Sequence, residues 1–391
     1  MKVSLLCQLL GLVDRQIVAK AVSTHGSDKH AKGHDTWTHL VSMLFCHIAN
    51  ATSCREIANG LRSATGNLSH LGMRRAPSKS TVSYANKHRR WEVFRDIYLG
   101  LLKRLEPDTR QRRRYARTIK RKVFIMDSTT ISLCLKSFDW AHFRQRKGGI
   151  KLHTVLDYDT CLPVFVHQTE AKVHDSKAAA LFKWPRGSVG VFDRAYVDFG
   201  FLDDLDSTGV RFVTRLKTNV DYEAIDEYYD GVQDFVTESD QDIRLTGATA
   251  SRKYPKTLRL VVVHDPSEDR WLHLLTNEMS WTAQHVGQLY QARWAIETFF
   301  KQLKQLLRIK TFIGTSENAV RIQMWTAMIM MLLLKYCKRK ARHAWFLSNL
   351  SNLASFLRLN LFVKIDLWKW LNKPYHEAKP SMAQGMLFDT G

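Results

Sequence analysis

The segment YQARWAIETFFKQLK, residues 290–304, holds the side chains best suited to chemistry. At about 100° per residue, an α-helix places four polar side chains on one narrow face: Tyr290, Arg293, Glu297 and Lys304. Apolar side chains fill the opposite face, which would bury against a core. A rigid helix that presents one carboxylate among cations and a phenol could hold a metal ion against a phosphodiester.

Lys301 and Arg308 extend the same polar face. An alternative interpretation is a solvated amphipathic helix, in which Arg293 and Glu297 form an ordinary ion pair one turn apart. The two interpretations differ in what they require of the rest of the chain. Only the first needs further carboxylates and an anionic partner.

Two aspartates each follow a short apolar run that is typical of a buried strand. VFIMD ends at Asp127, and VGVFD ends at Asp193. Carboxylates at strand ends lie at the rim of a sheet, where Glu297 could join them from a packed helix. Three oxygen donors suit Mg²⁺ or Mn²⁺, and two such ions about 4 Å apart would activate a water or a 3′-hydroxyl. Either aspartate alone could equally cap a turn or a helix.

The charge of the chain favours a polyanionic partner. Its 391 residues include 59 Lys and Arg against 37 Asp and Glu, a formal net charge of +22. An excess of this size indicates nucleic acid as the partner. No run of about 18 uncharged apolar residues is present, so we expect no membrane association. The six cysteines are scattered without paired spacing, which predicts reduced thiols and a cytoplasmic protein.

The pattern of hydrophobic residues divides the chain into three parts. Residues 1–115 read as an all-helical domain, and residues 110–122 carry a dense run of cations. Residues 116–315 alternate strands and helices, which predicts an α/β (α+β) domain with a mixed sheet and flanking helices. Residues 218–280 within it read as a β-rich insertion. Residues 316–391 form a helical C-terminal region that ends in a polar tail.

Residues 54–92 suggest two short helices joined by a glycine-containing connection. With Ser80 as its N-cap, the second helix would display Lys79, Tyr84, Lys87, His88 and Arg89. This arrangement resembles a helix-turn-helix, whose second helix enters a major groove of DNA. A generic helix pair is the alternative, and the basic charge favours the DNA-binding interpretation.

The order Asp127, Asp193, Glu297, with Glu297 inside Tyr-x2-Arg-x3-Glu-x6-Lys, resembles the DDE transposases of bacterial insertion sequences that carry the Tyr-Arg-Glu-Lys signature. A DST sequence follows the first strand, and a DRAY sequence follows the second. The resemblance covers about residues 122–310. It implies a ribonuclease-H-like catalytic domain, interrupted by a β-rich insertion before the third acid.

The resemblance also implies a reaction and partners. The expected reaction is cut-and-paste movement of a DNA element, with cleavage through a hairpin at the element's end and strand transfer by the same site. The expected partners are double-stranded DNA, both the terminal inverted repeats and the target, and a second copy of the chain in a synaptic homodimer. The protein would be associated with the nucleoid in the cytoplasm of a bacterium.

By the same resemblance, Asp127, Asp193 and Glu297 are the metal ligands for two Mg²⁺ or Mn²⁺ ions. Tyr290, Arg293 and Lys304 would bind phosphates near the cleaved end, beside Lys301. Hairpin formation needs a base flipped out of the stack, which an aromatic side chain usually holds. Trp271, in WLHLLTN, is the nearest match to the family's tryptophan, and the other tryptophans that could take this role are Trp281 and Trp294.

A further basic segment, FRQRKGGIKLH, begins at residue 143. Four cations surround its two glycines and would contact DNA near the site or form an exposed turn: Arg144, Arg146, Lys147 and Lys151. Asp175, in AKVHDSK, is expected to cap the following helix. Asp157 and Asp159 are expected to belong to a turn between strands.

Two other classes of protein fit part of this pattern. One is a metal-dependent DNA nuclease or resolvase on the same fold, which would cut without preference for inverted ends. The other is a catalytically inactive DNA-binding regulator derived from a transposase. The intact acids argue against the second class, since a regulator need not retain them.

Overall fold

The computed structural model describes residues 3–64, 66–109, 119–133, 142–144, 147–170, 175–228, 237–266, 268–307, 312–341 and 350–372. Its helices, in chain order, are α1 (Leu5–Leu10), α2 (Arg15–His25), α3 (Thr36–Ala49), α4 (Cys54–Arg62), α5 (Lys79–His88), α6 (Glu92–Thr109), α7 (Asp175–Ala179), α8 (Phe199–Ser207), α9 (Ala248–Lys253), α10 (Ala283–Gln291), α11 (Trp294–Leu307), α12 (Glu317–Lys340), α13 (Leu350–Leu359) and α14 (Leu367–Leu371).

The strands, in chain order, are β1 (Val123–Leu133), β2 (His142–Arg144), β3 (Lys147–Asp157), β4 (Leu162–Glu170), β5 (Val189–Phe192), β6 (Arg211–Arg215), β7 (Tyr222–Glu227), β8 (Thr237–Leu245), β9 (Leu258–Asp265) and β10 (Arg270–Thr276). Among the described residues, all ten strands belong to one sheet. Up to Thr109 the described chain contains helices and no strand, as its hydrophobic pattern predicts.

Local capping explains where the N-terminal helices begin. Asp14 and Asp35 each accept a hydrogen bond from a backbone N–H of the first turn, in α2 and α3 respectively. Ser53 caps α4 in the same way, and the Glu56 carboxylate reaches back to the backbone N–H of Thr52 at 2.8 Å. Side-chain acceptors at these positions satisfy donors that have no partner inside the helix.

The expected cap of α5 was wrong by two residues. The hydroxyl of Ser78 accepts the backbone N–H of Thr81 at 3.1 Å, and the helix begins at Lys79. Ser80 lies inside the first turn instead. The sequence SKST offers several hydroxyls in a row, so its composition alone could not single out the capping residue.

The strand order identifies the catalytic fold. Strands β1, β3 and β4 form an antiparallel meander, and β5 and β6 follow on the other side of β1 as parallel neighbours. The order β4-β3-β1-β5-β6 is that of the ribonuclease-H fold. The predicted ribonuclease-H-like mixed sheet with flanking helices is therefore confirmed.

The β-rich insertion continues this sheet. Strand β10 pairs antiparallel with β6, with Leu274 opposite Arg215, and strands β9, β8 and β7 follow outward in that order. The predicted insertion at 218–280 is therefore β-rich, as expected. It extends the catalytic sheet through a shared hydrogen-bonded ladder.

A single apolar cluster fills one side of the sheet from β1 to the insertion. Phe192, Tyr196, Leu202 and Phe212 are each 0% exposed within it. Helix α8 packs there against β6. Fully burying one such side chain contributes roughly 1.5–3 kcal/mol, so this cluster fixes the strands that carry the candidate acids.

The chain divides into two compact units. One consists of Met1–Ala85, Glu92–Leu101 and Thr326–Gly391, and the other of Asn86–Trp91 and Leu102–Trp325. All strands, together with α10 and α11, belong to the second unit.

Both ends of the chain contribute to the first unit. The backbone N–H of Leu5 donates to the carbonyl of Val363 at 3.0 Å, and the amide of Gln8 donates to the carbonyl of Ile365 at 2.6 Å. The sequence did not indicate this grouping. The DNA-binding role of residues 1–115 and the separation of residues 316–391 as a C-terminal region stay predictions.

Within the described residues, α12 is long and apolar enough by composition to span a membrane. Its mean hydropathy over the most apolar window is 1.2, and 83% of that window is buried inside the protein. Burial of this extent is typical of a core helix. The apolar run from Met324 to Leu334 lies within this helix.

Arg259 ties the insertion to the segment before α10, and this generates the first prediction. Its guanidinium forms two hydrogen bonds to buried Asp240, at 2.6 and 2.7 Å, and also donates to the carbonyls of Met279 and Trp281. Asp240→Ala leaves this cation buried without its counter-ion. We expect a loss of about 3–5 kcal/mol in the free energy of unfolding, measured in urea.

Glu223→Ala is the matched control for this prediction. It removes one acid of a more distant ion pair in the same insertion, the 3.8 Å pair with Arg244, in which both side chains are more than half exposed. An exposed pair contributes about 0–1 kcal/mol, so this variant should unfold close to wild type. Equal losses in the two variants would contradict the structural role of Arg259.

Candidate active site

Asp127 and Asp193 lie side by side because β1 and β5 are parallel neighbours. Met126 of β1 is in register with Phe192 of β5, and each aspartate is the next residue along its strand. Strand β5 ends there, whereas β1 continues to Leu133 by pairing with β3. The predicted end of the first strand at Asp127 was therefore wrong. The antiparallel partner β3 extends β1 beyond the point where its parallel partner stops.

The expected continuous helix from residue 289 onward was also wrong. Helix α10 ends at Gln291 and α11 begins at Trp294. At the junction the backbone N–H of Arg293 donates to the carbonyl of Tyr290 at 3.0 Å, and that of Ile296 donates to the carbonyl of Arg293 at 3.0 Å. These three-residue spacings tighten the turn, so the helical-wheel angles do not hold across it.

The third acid nevertheless reaches the other two. Helix α11 packs against β1 through a dry face in which Ile296, Phe299 and Leu303 are at most 2% exposed. Glu297 lies in the first turn of α11, and its side chain is 51% exposed. The buried apolar face thus fixes the height of Glu297 above the sheet.

Arg293 connects the first and third acids. One guanidinium nitrogen lies 3.2 Å from Oδ2 of Asp127, and another lies 2.7 Å from Oε1 of Glu297. Its side chain is only 15% exposed. Arg293 therefore provides an internal counter-cation for two carboxylates. The tightened turn at the junction of α10 and α11 places its side chain there.

Tyr290 holds the second acid. Its side chain is buried, and its hydroxyl donates to Oδ1 of Asp193 at 3.4 Å. Burial, together with the charge of Asp193, raises the pKa of Tyr290 to about 12. The phenol consequently keeps its proton at neutral pH and orients Asp193 as a hydrogen-bond donor.

Two of the acids, Asp127 and Glu297, line a cleft of about 530 Å³ together with two lysines. Its lining comprises Asp127, Ser128, Thr129, Glu297, Phe300, Lys301, Lys304 and Gln305. Lys301 and Lys304 are exposed on α11, one and two turns beyond Glu297. The sequence analysis missed Ser128, Thr129 and Gln305 as lining residues. Their position in the sequence, directly after Asp127 and Lys304, was the one feature that could have indicated them.

The acids repel one another in the absence of a stronger cation. Burial, and to a smaller extent the charges of Asp193 and Glu297, raise the pKa of Asp127 to about 6. The backbone N–H of Ser128, 2.7 Å from Oδ1 of Asp127, and the cation of Arg293 act in the opposite direction. A divalent cation would relieve this repulsion more strongly than a single guanidinium.

The donor set fits a divalent cation in its chemistry, since all three candidate ligands offer carboxylate oxygens. In the part of the chain that the structure describes, no three acidic, histidine or cysteine side chains are arranged to hold one ion. Arg293 takes the place of the cation between Asp127 and Glu297. A metal ion held by these carboxylates would therefore have to displace Arg293 from them.

The predicted basic hairpin is present in part. His142–Arg144 pairs with the start of β3 at Lys147, and Arg146 lies outside the described residues. Lys151 forms an ion pair with Asp175, with Nζ 3.0 Å from Oδ2. Its ammonium is thus held inside the domain, on β3.

Two further aspartates can be compared with their predicted roles. The carboxylate of Asp175, the expected helix cap, accepts hydrogen bonds from Ser128 and Lys151. Asp157 accepts the backbone N–H of Asp159 at 2.8 Å and forms an ion pair with Lys122. It has the turn role that the sequence predicted.

The three candidate tryptophans differ in exposure and location. Trp271 lies on β10, is 39% exposed and contacts the ring of His264 edge-on at 5.1 Å. Trp294 begins α11, next to Arg293, and is 45% exposed. Trp281 is partly buried. Trp271 and Trp294 therefore both offer an exposed ring for stacking.

The raised pKa of Asp127 predicts a pH-dependent stability of the metal-free protein. Unfolding returns this carboxyl to its ordinary pKa of 3.8, so its contribution to stability is full below that value and is lost as the pH rises through about 6. We expect Asp127→Asn to unfold at a higher temperature than wild type at about pH 7.5 in EDTA. The gain should reach up to about 3 kcal/mol and vanish near pH 4.

Asp157→Asn serves as the control, because it removes a buried carboxylate that is paired with Lys122. We expect no such gain from it, since a buried ion pair that loses one partner is destabilised. If Asp127→Asn were less stable than wild type at about pH 7.5, the ion pair with Arg293 would outweigh the burial of the charge.

Comparisons with known proteins agree with this geometry. Residues 118–334 match the family described as the transposase DDE domain, and residues 2–74 match a domain of unknown function (DUF4372). A transposase of Sinorhizobium fredii, y4zB, is 32% identical over 68% of this chain and 73% of its own length. The transposase for insertion sequence element IS5377 of Geobacillus stearothermophilus is 27% identical over 66% of each chain.

Among solved structures, the piggyBac transposase, in a cryo-EM structure of its synaptic complex with hairpin DNA, aligns with a TM-score of 0.46. That alignment has 11% identity and covers 96% of this chain and 83% of that chain. The transposase domain spans more than half of the chain and contains Asp127, Asp193 and Glu297. The chain therefore belongs to the DDE transposases of bacterial insertion sequences, enzymes that cut and join DNA with the aid of divalent metal ions.

Proposed function

We propose that this transposase moves its element by a cut-and-paste reaction at the acids Asp127, Asp193 and Glu297. The observation that carries the proposal is their convergence from β1, β5 and α11 beside a cleft that Lys301 and Lys304 line. The cleft is open and partly basic, which suits a phosphodiester backbone. Its lining includes the carboxylates of Asp127 and Glu297, which a divalent cation would neutralise.

The three carboxylates would hold Mg²⁺ or Mn²⁺, two ions in each active site. When bound, the ions would supply Lewis acidity for hydrolysis of the phosphodiester and then for attack by the freed 3′-hydroxyl on target DNA. Tyr290 supports this role by fixing one oxygen of Asp193 through its hydroxyl. The other oxygen of Asp193 then stays available to a ligand.

Arg293 would change partners when DNA and metal bind. In the free protein its guanidinium neutralises Asp127 and Glu297. Once these carboxylates coordinate metal, the planar guanidinium can donate two hydrogen bonds to a phosphate. Lys301 and Lys304 would bind the adjoining phosphates from the exposed face of α11 as mobile point charges.

Cleavage would proceed through a hairpin at the end of the element. A flipped base needs an exposed aromatic ring, and Trp271 on β10 or Trp294 on α11 could provide it. Trp281 is less exposed than either. The basic hairpin with Arg144, Arg146 and Lys147 would contact the flanking DNA, whereas Lys151 is paired with Asp175.

The helical part before the catalytic domain would recognise the terminal inverted repeats. Helices α4 and α5 fit the expected pair, and Tyr84 on α5 is 68% exposed. Lys79 and Lys87 are exposed on the same helix. Two copies bound at two ends would form a synaptic homodimer, which then engages target DNA in the bacterial nucleoid.

The direct test is cleavage of a plasmid that carries the gene with its native flanks by the purified full chain and Mg²⁺. Wild type would be compared with Glu297→Gln, an isosteric variant without the charge. We expect wild type to excise the element with hairpin ends on a denaturing gel. Glu297→Gln should retain end binding and lose at least about 10³-fold in cleavage rate, since it removes a metal ligand.

Each other outcome selects another function. Cutting without preference for the inverted repeats would indicate a nuclease or resolvase on the transposase fold. Binding to the ends without any cutting by wild type would indicate a DNA-binding regulator. Equal cleavage by wild type and Glu297→Gln would show that Glu297 is not one of the metal ligands.

A further prediction concerns recognition of the element's ends by α5. We expect the double variant Tyr84→Ala, Lys87→Ala to bind the element's ends at least about tenfold more weakly, because it loses base-edge and phosphate contacts together. The readout is a competition gel shift against unrelated DNA at fixed salt. Binding and cleavage of DNA whose ends are already single-stranded are measured separately, because they report on the catalytic cleft.

Tyr222→Ala is the control, since it removes an aromatic side chain that is also exposed, 37%, from the acidic strand β7. This variant should bind the ends like wild type. Unchanged end specificity in the α5 variant would place repeat recognition elsewhere in the chain.

A further inference from the structure

Asp175 is the centre of a network of polar side chains from α7, β1 and β3. Its Oδ1 accepts the hydroxyl of Ser128 at 2.9 Å, and its Oδ2 lies 3.0 Å from Nζ of Lys151. His153 Nδ1 lies 3.3 Å from Oδ1. The Asp175 side chain is 15% exposed, and that of His153 is 0% exposed.

The strand register explains why these groups meet. Ser128 is opposite His153 and Thr130 is opposite Lys151 in the antiparallel β1–β3 ladder. Side chains alternate along a strand, so Ser128 and Asp127 point to opposite faces. Asp175, at the start of α7, therefore braces β1 from the side away from α11.

One arm of the network reaches the first acid. The hydroxyl of Ser128 is fixed by Asp175, and the backbone N–H of Ser128 donates to Oδ1 of Asp127 at 2.7 Å. A shift of Ser128 would displace this donor together with the strand. The position of the Asp127 carboxylate thus depends on a contact made on the reverse face.

The other arm reaches the second acid. The hydroxyl of Tyr196 lies 3.3 Å from Nδ1 of His153, the nitrogen that also lies 3.3 Å from Oδ1 of Asp175. Tyr196 is fully buried in the 3₁₀ turn that follows Asp193, and its backbone N–H donates to the carbonyl of Asp193 at 3.0 Å. Asp175 therefore contacts Ser128 directly and reaches Tyr196 by way of His153.

We propose that Asp175 is a positioning residue that sets the separation of Asp127 and Asp193 through Ser128 and Tyr196. The inference rests on the proposed role of these two acids as metal ligands. A carboxylate suits the position because it can accept several donors at once, while Lys151 balances its charge. Groups that orient metal ligands from behind change metal affinity without touching the ion.

The test is Mn²⁺ binding to the full chain without DNA, measured by electron paramagnetic resonance of free Mn²⁺. We expect Asp175→Asn to weaken Mn²⁺ binding by at least about tenfold. Ser128→Ala and Tyr196→Phe each remove one arm by deleting a single hydroxyl, and each should weaken binding by a smaller factor. Specific binding to the element's ends should stay unchanged in all three variants.

Metal titration of cleavage gives a second readout. Asp175→Asn should need a higher Mn²⁺ concentration for half-maximal cleavage and should recover near wild-type rates at saturation. Asp127→Asn should not recover at any concentration, because a ligand itself is missing. A defect of Asp175→Asn that saturating Mn²⁺ leaves unchanged would contradict a positioning role.

Asp240→Asn controls for a loss of stability, since it removes another buried, ion-paired carboxylate in the same compact unit. If Asp175→Asn, Ser128→Ala and Tyr196→Phe bind Mn²⁺ like Asp240→Asn and wild type, the network is only structural and the inference is overturned. If Asp127→Asn and Glu297→Gln also bind Mn²⁺ normally, the metal-ligand assignment itself fails, and this inference fails with it.

Discussion

Mutual repulsion among three carboxylates is the constraint around which the catalytic unit is organised. The parallel register of β1 and β5 brings Asp127 and Asp193 together, and the apolar face of α11 fixes Glu297 beside them. The cost of this arrangement is seen in the pKa of Asp127, which burial raises first and the charges of Asp193 and Glu297 raise to a smaller extent. Arg293 offsets part of it from a tightened turn between two helices.

Arg293 neutralises part of the charge of Asp127 and Glu297 inside a protein that is strongly basic overall. Its surface charge attracts DNA from any direction and carries no information about where to cut. In the proposed function, the carboxylates would act on a phosphate once a stronger cation replaces Arg293. Exchange of one counter-ion for another would then link DNA binding to activation of the site.

The sequence indicated where the candidate acids lie because the patterns around them are local. An apolar run that ends in Asp is visible at 123–127 and 189–193, and the spacing from Tyr290 to Lys304 needs no tertiary information. The ribonuclease-H-like order and the β-rich insertion followed from the resemblance to a family. The structure then supported both with the observed strand order.

Features that depend on partners distant in the chain could not be predicted. The extension of β1 to Leu133 requires β3 as a neighbour, and the burial of Tyr290 requires Asp193, 97 residues away. The break at Arg293 separates two segments that are both helical by composition. Asp175 looked like a helix cap because its contact with Ser128 spans 47 residues of sequence.

Charge is distributed unevenly along the continuous sheet. The outermost strand, β7, is exposed and carries Glu223, Asp226 and Glu227, whereas the cleft over β1 is lined by lysines. Phosphates would be repelled from the first surface and attracted to the lysines of the second. A duplex bound as proposed would therefore lie away from β7.

The direct ladder from β6 to β10 makes the insertion a rigid extension of the strands that carry the acids. Neighbouring strands are about 4.8 Å apart, so the offset from Asp193 on β5 to the ladder of β10 is fixed by backbone hydrogen bonds. A residue added within β10 would turn Trp271 to the other side of the sheet, while residues added to a connecting loop would leave it in place. The insertion can thus change its loops in evolution, but its strands have to keep their length.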